Sequence, residues 1–360
     1  MNDDLYRALA EHLDRLPGGF PPSKTGAELP LLKRLFTPEE AALAVHVTLE
    51  RAEPAVIARR VVLPLSEVEP RLEQMAQKGL IFSVKPPQGS VLYQAAPFVV
   101  GIYEFQVNNL DGALIGDLNE YWGTLKRRAP VRTIPQMRTI PVEASIATQR
   151  EVLAYDHIEG LLAAQDRFAV AHCICRKEAT LSGRGCDAPE ETCLVFGDWA
   201  DYYVRTGRAR AIDLAEVRQI LTAANDAGLV LQPSNSREIA FICCCCGCCC
   251  GILQGLKHRR RPADAVVSSF LAQFEATLCS GCFICVDRCQ MQALAVADGQ
   301  IEYSAERCIG CGLCVTTCPT GALTLVRKPE ADASRVPETL EDTWRVITDA
   351  QAAQRDRARG

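Results

Sequence analysis

The sequence predicts an α+β protein built from several domains. At 360 residues the chain is longer than one small domain requires, and its 48% hydrophobic content can supply more than one core. Helices and a hairpin come first, helices and strands alternate in the middle of the chain, and the 19 cysteines are concentrated in two stretches. We expect four parts: a helical domain (1–100), a cysteine-rich α/β domain (101–272), a domain with a cysteine repeat (273–328) and a helical tail (329–360).

Composition excludes several classes of function. The net charge of −5 and the pI near 5.7 leave no basic field for nucleic acid. No uninterrupted apolar run approaches the roughly 18 residues of a membrane span, and the acidic start MNDDLYRALAEHLDRL lacks the features of a secretion signal. Nineteen cysteines in such a chain favour a reducing, cytoplasmic setting and metal ligation over disulfides.

Residues 31–100 contain three helix starts followed by a hairpin. Thr37 precedes a proline and two glutamates, and Glu53-Pro54 and Pro64-Leu65 open two more helices. Val68, Leu72, Met75 and Ala76 share one face of the third helix, and IFSVK and VLYQA flank a turn. This order resembles a winged helix-turn-helix domain.

The third helix argues against DNA as its partner. In a winged helix this helix would enter the major groove. Its acidic balance would repel phosphate, which favours a structural or protein-docking role. Its polar positions are Ser66, Glu67, Glu69, Arg71, Glu73, Gln74 and Lys78.

The segment 101–272 predicts two strands that lead directly into cysteines. RFAVAHCICR enters the first pair, and EIAFI enters the run CCCCGCCC at 243–250. We expect an α/β unit whose strand ends deliver cysteines to one place. The candidate ligands are Cys173, Cys175, Cys186, Cys193, Cys243, Cys245, Cys246, Cys248, Cys249 and Cys250.

Two arrangements of these cysteines remain open. In the first, the four cysteines of 173–193 hold one cubane iron–sulfur cluster, [4Fe–4S], and the 243–250 run holds another. In the second, both segments share one larger or non-cubane iron–sulfur cluster. Side chains alternate along an extended segment, which separates Cys243 and Cys245 from Cys244 and Cys246, and Gly247 permits a turn. Zinc at 173–193 and packing cysteines within the run are the alternatives to iron.

The repeated Cys-Cys-Gly of the 243–250 run resembles, weakly, the motif of heterodisulfide-reductase-type proteins. That resemblance implies a non-cubane cluster, although the motif's further cysteines lie at other spacings here.

The C-terminal stretch repeats the spacing C-x2-C-x2-C-x3-C after 29 residues. In such runs the fourth cysteine ligates the cluster of the other copy. We therefore expect a first quartet of Cys279, Cys282, Cys285 and Cys318. The second quartet would be Cys308, Cys311, Cys314 and Cys289. A proline follows the last cysteine in the second copy, whereas Gln290 occupies that position in the first.

Residues 275–326 resemble bacterial two-cluster ferredoxins. The resemblance implies two [4Fe–4S] clusters and one-electron transfer, with no bond-making by the protein itself. Paired thiolates of a zinc site match two crossing quartets poorly.

The sequence thus predicts an electron-transfer protein of anaerobic metabolism with one or two further iron–sulfur clusters upstream. The expected partner is a larger oxidoreductase or another ferredoxin, in a complex of which this chain would be a subunit. A redox enzyme with an unusual substrate-binding cluster and a redox-sensing winged-helix regulator are the alternatives. The tail predicts a helix from Pro337 to about Ala353 that would lie on a partner.

Overall fold

The computed structural model describes residues 2–128, 134–146, 156–328 and 336–359. The sequence also predicts a helix from about Ala147 to Ala164; its first part lies outside these residues, and the described helix there begins at Ile158. The helices are α1 (Asn2–Arg15), α2 (Glu28–Leu35), α3 (Pro38–Ala44), α4 (Pro54–Val61), α5 (Leu65–Lys78), α6 (Tyr103–Phe105), α7 (Gly112–Arg128), α8 (Ile158–Ala163), α9 (Ile174–Leu181), α10 (Gly197–Arg205), α11 (Leu214–Asp226), α12 (Gly251–Lys257), α13 (Ile284–Arg288) and α14 (Leu340–Arg359).

Helices and several small sheets together make this a mixed α+β structure. The strands are β1 (Ile81–Val84), β2 (Leu92–Ala95), β3 (Phe168–His172), β4 (Glu191–Phe196), β5 (Ala209–Ile212), β6 (Val230–Pro233), β7 (Phe241–Cys245), β8 (Phe270–Phe274), β9 (Leu294–Ala297), β10 (Gln300–Tyr303) and β11 (Leu323–Arg327).

The helices and hairpin predicted in residues 31–100 are present. Thr37 caps α3 in a reciprocal capping box with Glu40, which satisfies two backbone N–H groups. The sequence predicts this helix to about Leu49, whereas α3 ends at Ala44. The predicted apolar face of α5 is buried, and Gly79 ends the helix at φ 78°. The winged-helix identity of this order remains a prediction; Glu67, Glu69 and Glu73 are exposed on α5, and that acidic surface does not favour DNA.

A five-stranded sheet in the order β5-β3-β4-β7-β6 forms the middle of the molecule. All four neighbouring pairs are antiparallel, which differs from the parallel sheet of an α/β unit. The reason is that β4, which the sequence analysis did not anticipate, inserts between β3 and β7.

This insertion still brings cysteines to one edge of the sheet. Because β3 and β7 are both antiparallel to β4, they run in the same direction and end at the same edge. Cys173 follows the end of β3, and Cys245 ends β7. Cys193, near the start of β4, pairs with Ala171 on one side and with Cys243 on the other.

The N-terminal helices share a continuous core with one face of the sheet through α10. The Tyr202 hydroxyl donates to the carbonyls of Ala76 (2.8 Å) and Ile81 (3.0 Å), and Trp199 stacks on Phe82. The apolar pattern of PFVVGIYEFQV predicts a strand or a buried segment. The segment is largely buried, and it forms α6 and an irregular backbone rather than a strand.

The cysteine repeat carries two antiparallel pairs, β8 with β11 and β9 with β10. Each copy of the repeat is therefore bounded by short strands. The region is attached to the middle of the molecule by backbone bonds such as Val142 N–H to the Cys311 carbonyl at 3.1 Å.

Helix α14 packs on its own chain. Trp344 is 1% exposed and donates from Nε1 to Gln136 Oε1 at 2.8 Å. Thr343 bonds to the Asn235 carbonyl at 2.6 Å. The helix expected to lie on a partner therefore covers the edge of the chain's own core.

Among the described residues, no helix combines the length and the apolar character needed to cross a membrane.

Candidate metal centres

The first quartet lies near the surface. The charges of Cys282, Cys318 and Cys279 reach Cys285, and together with burial they raise the pKa of the Cys285 thiol. Cys282 is exposed, whereas Cys285 is buried. Cys318, the fourth cysteine of the second copy, therefore lies near enough to Cys285 of the first copy for its charge to act there.

The second quartet is more deeply placed. Cys289, Cys308, Cys311 and Cys314 line one small, largely enclosed cavity together with Tyr303. Burial, with the neighbouring thiols of Cys289 and Cys308, raises the pKa of Cys311 to about 12. The raised pKa shows that this space favours the neutral thiol, so thiolates here need the positive charge of a bound metal centre to stabilise them.

Backbone amides point at the quartet sulfurs. The N–H groups of Gly281, Ala272 and Ala293 donate to the Sγ atoms of Cys279 (3.4 Å), Cys308 (3.3 Å) and Cys289 (3.1 Å). Such bonds stabilise negative sulfur and tune the potential of a bound cluster.

Gly310 shows how closely the backbone wraps this region. Its φ is 72°, and a Cβ there would lie 2.1 Å from the Phe270 carbonyl oxygen. A side chain would collide with β8, so only glycine fits the close approach.

Upstream, six cysteines form a connected series that we call the six-thiol group. Their side chains interact as neighbours in the order Cys173, Cys175, Cys250, Cys245, Cys243 and Cys193. The series joins the end of β3, the start of α9, β4, β7 and the start of α12. The sheet register explains why: Cys193 and Cys243 are direct partners across β4 and β7.

The six-thiol group lies inside the protein. A hydrogen bond to Cys175 and burial raise the pKa of Cys173, and hydrogen bonds from Cys175 and Cys245 lower the pKa of Cys250 to about 5. Cys173, Cys175, Cys193 and Cys243 nevertheless keep partial exposure. These four thiols are therefore surrounded by protein but keep some accessible surface.

Two polar side chains from other elements, Glu104 and Tyr103, approach this group. Desolvation raises the pKa of Glu104 to about 8, and the charges of Cys243 and Cys173 act in the same direction. The Tyr103 hydroxyl bonds to the buried Glu178. Neither Glu104 nor Tyr103 stands near a cysteine in the chain, so no local sequence signal marks them.

Four other cysteines form a separate cluster, the four-thiol group, which consists of Cys186, Cys246, Cys248 and Cys249. Their sulfur atoms all lie within 4.8 Å of one another. Sγ–Sγ distances are 3.9 Å for Cys186–Cys246, 3.7 Å for Cys186–Cys249 and 3.8 Å for Cys248–Cys249. Within the described residues, no other group of three or more possible ligands is this compact.

This division differs from the sets suggested by the spacing. Cys186 leaves the other cysteines of 173–193 and joins the 243–250 run, and that run is itself shared between the two groups. Cys244 belongs to neither group; it is 1% exposed and packs with Ile242 and Leu253. As expected, Cys243 and Cys245 share one group while Cys244 and Cys246 lie outside it. After Gly247, Cys248 and Cys249 join Cys246, whereas Cys250 returns to the group of Cys245.

Arg176 connects the two groups. The side chain is 1% exposed, and its guanidinium contacts the thiols of Cys173 and Cys246, the latter at 3.9 Å. It also donates to the Cys244 carbonyl at 3.1 Å and to Thr192. A buried cation between thiol groups offsets the negative charge that ligation creates.

The side-chain contacts of Gln290 explain why this position is not proline, as it is in the second copy. Its Oε1 accepts from the Gly247 N–H at 2.7 Å, and its Nε2 donates to the Gly228 carbonyl at 2.9 Å. Proline has no such side-chain groups. The residue after Cys289 therefore ties the second quartet to the turn of the cysteine run.

The basic segment 257–261 is partly used within the chain. Lys257 donates to the Gly247 carbonyl at 2.9 Å, and Arg261 pairs with Asp264 and Glu306 at 2.7 Å each. These contacts join the segment to the turn at Gly247 and to the cysteine repeat. Lys257 and Arg261 therefore stabilise the chain's own structure.

A family model described as a 4Fe-4S dicluster domain matches residues 278–330. The chain therefore contains such a domain next to a second cysteine-rich region. Neither among curated proteins nor among solved structures was a similar protein found.

Proposed function

We propose that the chain is an iron–sulfur electron-transfer protein that exchanges electrons with a larger oxidoreductase or a ferredoxin in the cytoplasm of an anaerobic cell. The observation that carries the proposal is the dicluster domain, tied through Gln290 to a second, buried set of cysteines. [4Fe–4S] clusters, when bound, supply one-electron transfer over a wide range of potentials.

The residues of the dicluster domain fit two such clusters. The first and second quartets would hold one each, and the amides of Gly281, Ala272 and Ala293 would stabilise the ligating sulfurs. The cavity among Cys289, Cys308, Cys311 and Cys314 supports this assignment. Zinc is held by four ligands around a single ion, and such a site does not require two quartets that exchange their fourth cysteine.

The six-thiol group would hold a further iron–sulfur centre. Six thiols exceed what a cubane uses, which favours a larger or non-cubane cluster. Cys173, Cys175, Cys193 and Cys243 keep partial exposure, which leaves accessible surface beside them for the iron and sulfide of a cluster. Arg176 would offset its charge, and the surrounding protein would exclude water.

The first quartet is suited to meet the partner. Cys282 is exposed, and the apolar Leu278 (52% exposed) and Ile284 (47% exposed) flank it. Exposed apolar side chains around a redox centre favour docking of another protein. The order from outside to inside would be first quartet, second quartet, Gln290 link and six-thiol group.

A second candidate is a redox enzyme whose substrate binds at the six-thiol group. The observation that favours it is the presence of Glu104 and the Tyr103–Glu178 pair beside a set with more thiols than a cubane needs. Small thiols that change the EPR spectrum of the reduced protein would support it; an unchanged spectrum would favour electron transfer alone.

The proposal is tested by iron and sulfide content and EPR of the whole chain, purified without oxygen. Two cubanes account for about eight iron atoms. We expect more than eight, with an additional reduced-state signal that disappears in a Cys193→Ala, Cys243→Ala variant. An iron content of about eight in both proteins would refute an iron–sulfur centre at the six-thiol group.

A further inference from the structure

We propose that the four-thiol group binds a single zinc ion rather than an iron–sulfur cluster. The argument rests on distances between sulfur atoms, and it goes beyond the proposed electron transfer because zinc carries no electrons.

The sulfur positions match the corners of one tetrahedron. Four thiolates around zinc at about 2.3 Å place neighbouring sulfurs about 3.8 Å apart. The three shortest pairs in the group lie at 3.7, 3.8 and 3.9 Å, and every pair lies within 4.8 Å. One ion at the centre would reach all four.

The dicluster domain provides an internal comparison. A cubane inserts four irons and four sulfides between its thiolates, so their sulfurs stay well apart. Neither quartet of that domain forms a compact group of the kind seen here among the described residues. The same chain thus shows two different sulfur spacings, one wide and one fit for a single ion.

The local backbone also has the form of a zinc-binding turn. Cys246 and Cys249 have the C-x2-C spacing common in structural zinc sites. The backbone N–H of Cys249 bonds to the Cys246 thiol. Gly247 lies between them, and a Cβ there would collide with Lys257 Nζ at 2.5 Å and the Gln290 carbonyl at 2.8 Å.

The surrounding charge suits four thiolates on a divalent ion, which leave a net charge of about −2. Arg176 lies 3.9 Å from Cys246 Sγ, and Lys257 is held at the Gly247 carbonyl. Two cations therefore flank the group.

The position gives the ion a structural role. Cys186 comes from the loop between α9 and β4, and the other three come from the turn between β7 and α12. Cys246 and Cys249 are the chain neighbours of Cys245 and Cys250 in the six-thiol group. An ion here would fix the two segments that shape the buried centre.

The test is metal analysis and zinc K-edge X-ray absorption of the whole chain, purified without oxygen from cells grown with iron and trace zinc. We expect about one zinc per chain, bound by four sulfurs at about 2.3 Å. Cys186→Ser and Cys248→Ser should lose the zinc and keep the iron. Cys244→Ala, which removes a thiol outside both groups, should keep both metals.

Three results would overturn the proposal. They are wild-type protein without zinc, zinc that stays bound in both serine variants as an adventitious ion, and iron that falls by about four in those variants. If the variants fail to fold, the absorption spectrum of the wild-type protein decides alone, because zinc with nitrogen or oxygen ligands contradicts a four-thiolate site. Wild-type protein with zinc but with only the roughly eight iron atoms of two cubanes would refute the iron–sulfur centre at the six-thiol group. That result would not contradict the zinc site.

Discussion

The cysteines of residues 279–318 and those of residues 173–250 differ in how their sulfurs are spaced. In the dicluster domain, regular spacing along the chain places Cys289 of the first copy with Cys308, Cys311 and Cys314 of the second around one cavity, and Cys318 within charge range of Cys285. Upstream, irregular spacing produces one extended series of six thiols and one compact set of four. Spacing along the chain identifies a repeated motif, but the distance between sulfur atoms distinguishes a cluster from a single ion.

The two regions also differ in what surrounds the thiols. Around the quartets, backbone amides point at sulfur. Around the upstream groups, side chains from distant segments approach the sulfurs instead, and the buried cation Arg176 contacts Cys246. The first pattern is local and repeats; the second depends on the tertiary fold. The predictions below perturb one region at a time.

The largest effect is expected from removal of a ligand in the second quartet. Cys314→Ala should cost about four iron atoms per chain, because a cubane lacking one of four thiolates is poorly held. The upstream EPR signal should remain. Cys244→Ala is the control and should lose no iron; equal loss in the two variants would mean that the quartet assignment is wrong.

Next in size is the effect of a methyl group at Gly310. Gly310→Ala combines a left-handed backbone with a clash against the Phe270 carbonyl, so it should lower the free energy of unfolding by about 3 kcal/mol. Gly281→Ala has a similar φ of 71° but open space around it, and should cost about 1 kcal/mol. Thermal unfolding of the metal-loaded proteins measures both, and equal costs would contradict the close approach.

A smaller effect is expected from Arg176→Met. It leaves the Cys244 carbonyl and the Thr192 hydroxyl without their donor, at a cost of about 2 kcal/mol. Loss of the cation should also make the potential of the upstream centre more negative, while both dicluster potentials stay constant. Potentiometric titration followed by EPR reads these separately, and a shift in the dicluster signals alone would count against Arg176 as an upstream group.

The smallest of these effects concerns the link between the regions. Gln290→Leu removes two hydrogen bonds and should cost about 2 kcal/mol or less, with slower electron exchange between the dicluster domain and the six-thiol group. Gln290→Glu keeps the acceptor for Gly247 and should fall between. Freeze-quench EPR measures the exchange; an unchanged rate in Gln290→Leu would exclude this link as the route.

Sequence reasoning went furthest where structure is local. The start of α3 at Thr37, the buried face of α5 and the C-cap at Gly79 follow from capping and periodicity within a few residues. The dicluster domain was predictable for the same reason, since its ligands are set by short spacings and matched by a family model.

What the sequence could not supply depends on which distant strands become neighbours. Because β4 lies between β3 and β7, Cys193 pairs with Cys243. Cys186 lies instead beside Cys246. Nothing near Cys186 in the chain signals this. Likewise, the roles of Arg176 and Glu104 depend on contacts across the sheet, and only the departure at Gln290 offered a sequence clue.

The central claim is that the upstream cysteines hold a centre of their own kind beside the dicluster pair. The most direct measurement is the number of iron and zinc atoms per chain in one oxygen-free preparation of the whole protein. The account predicts more than the eight iron atoms of two cubanes, together with about one zinc. Eight iron atoms and no zinc, with the upstream thiols free to react with a thiol reagent, would contradict it.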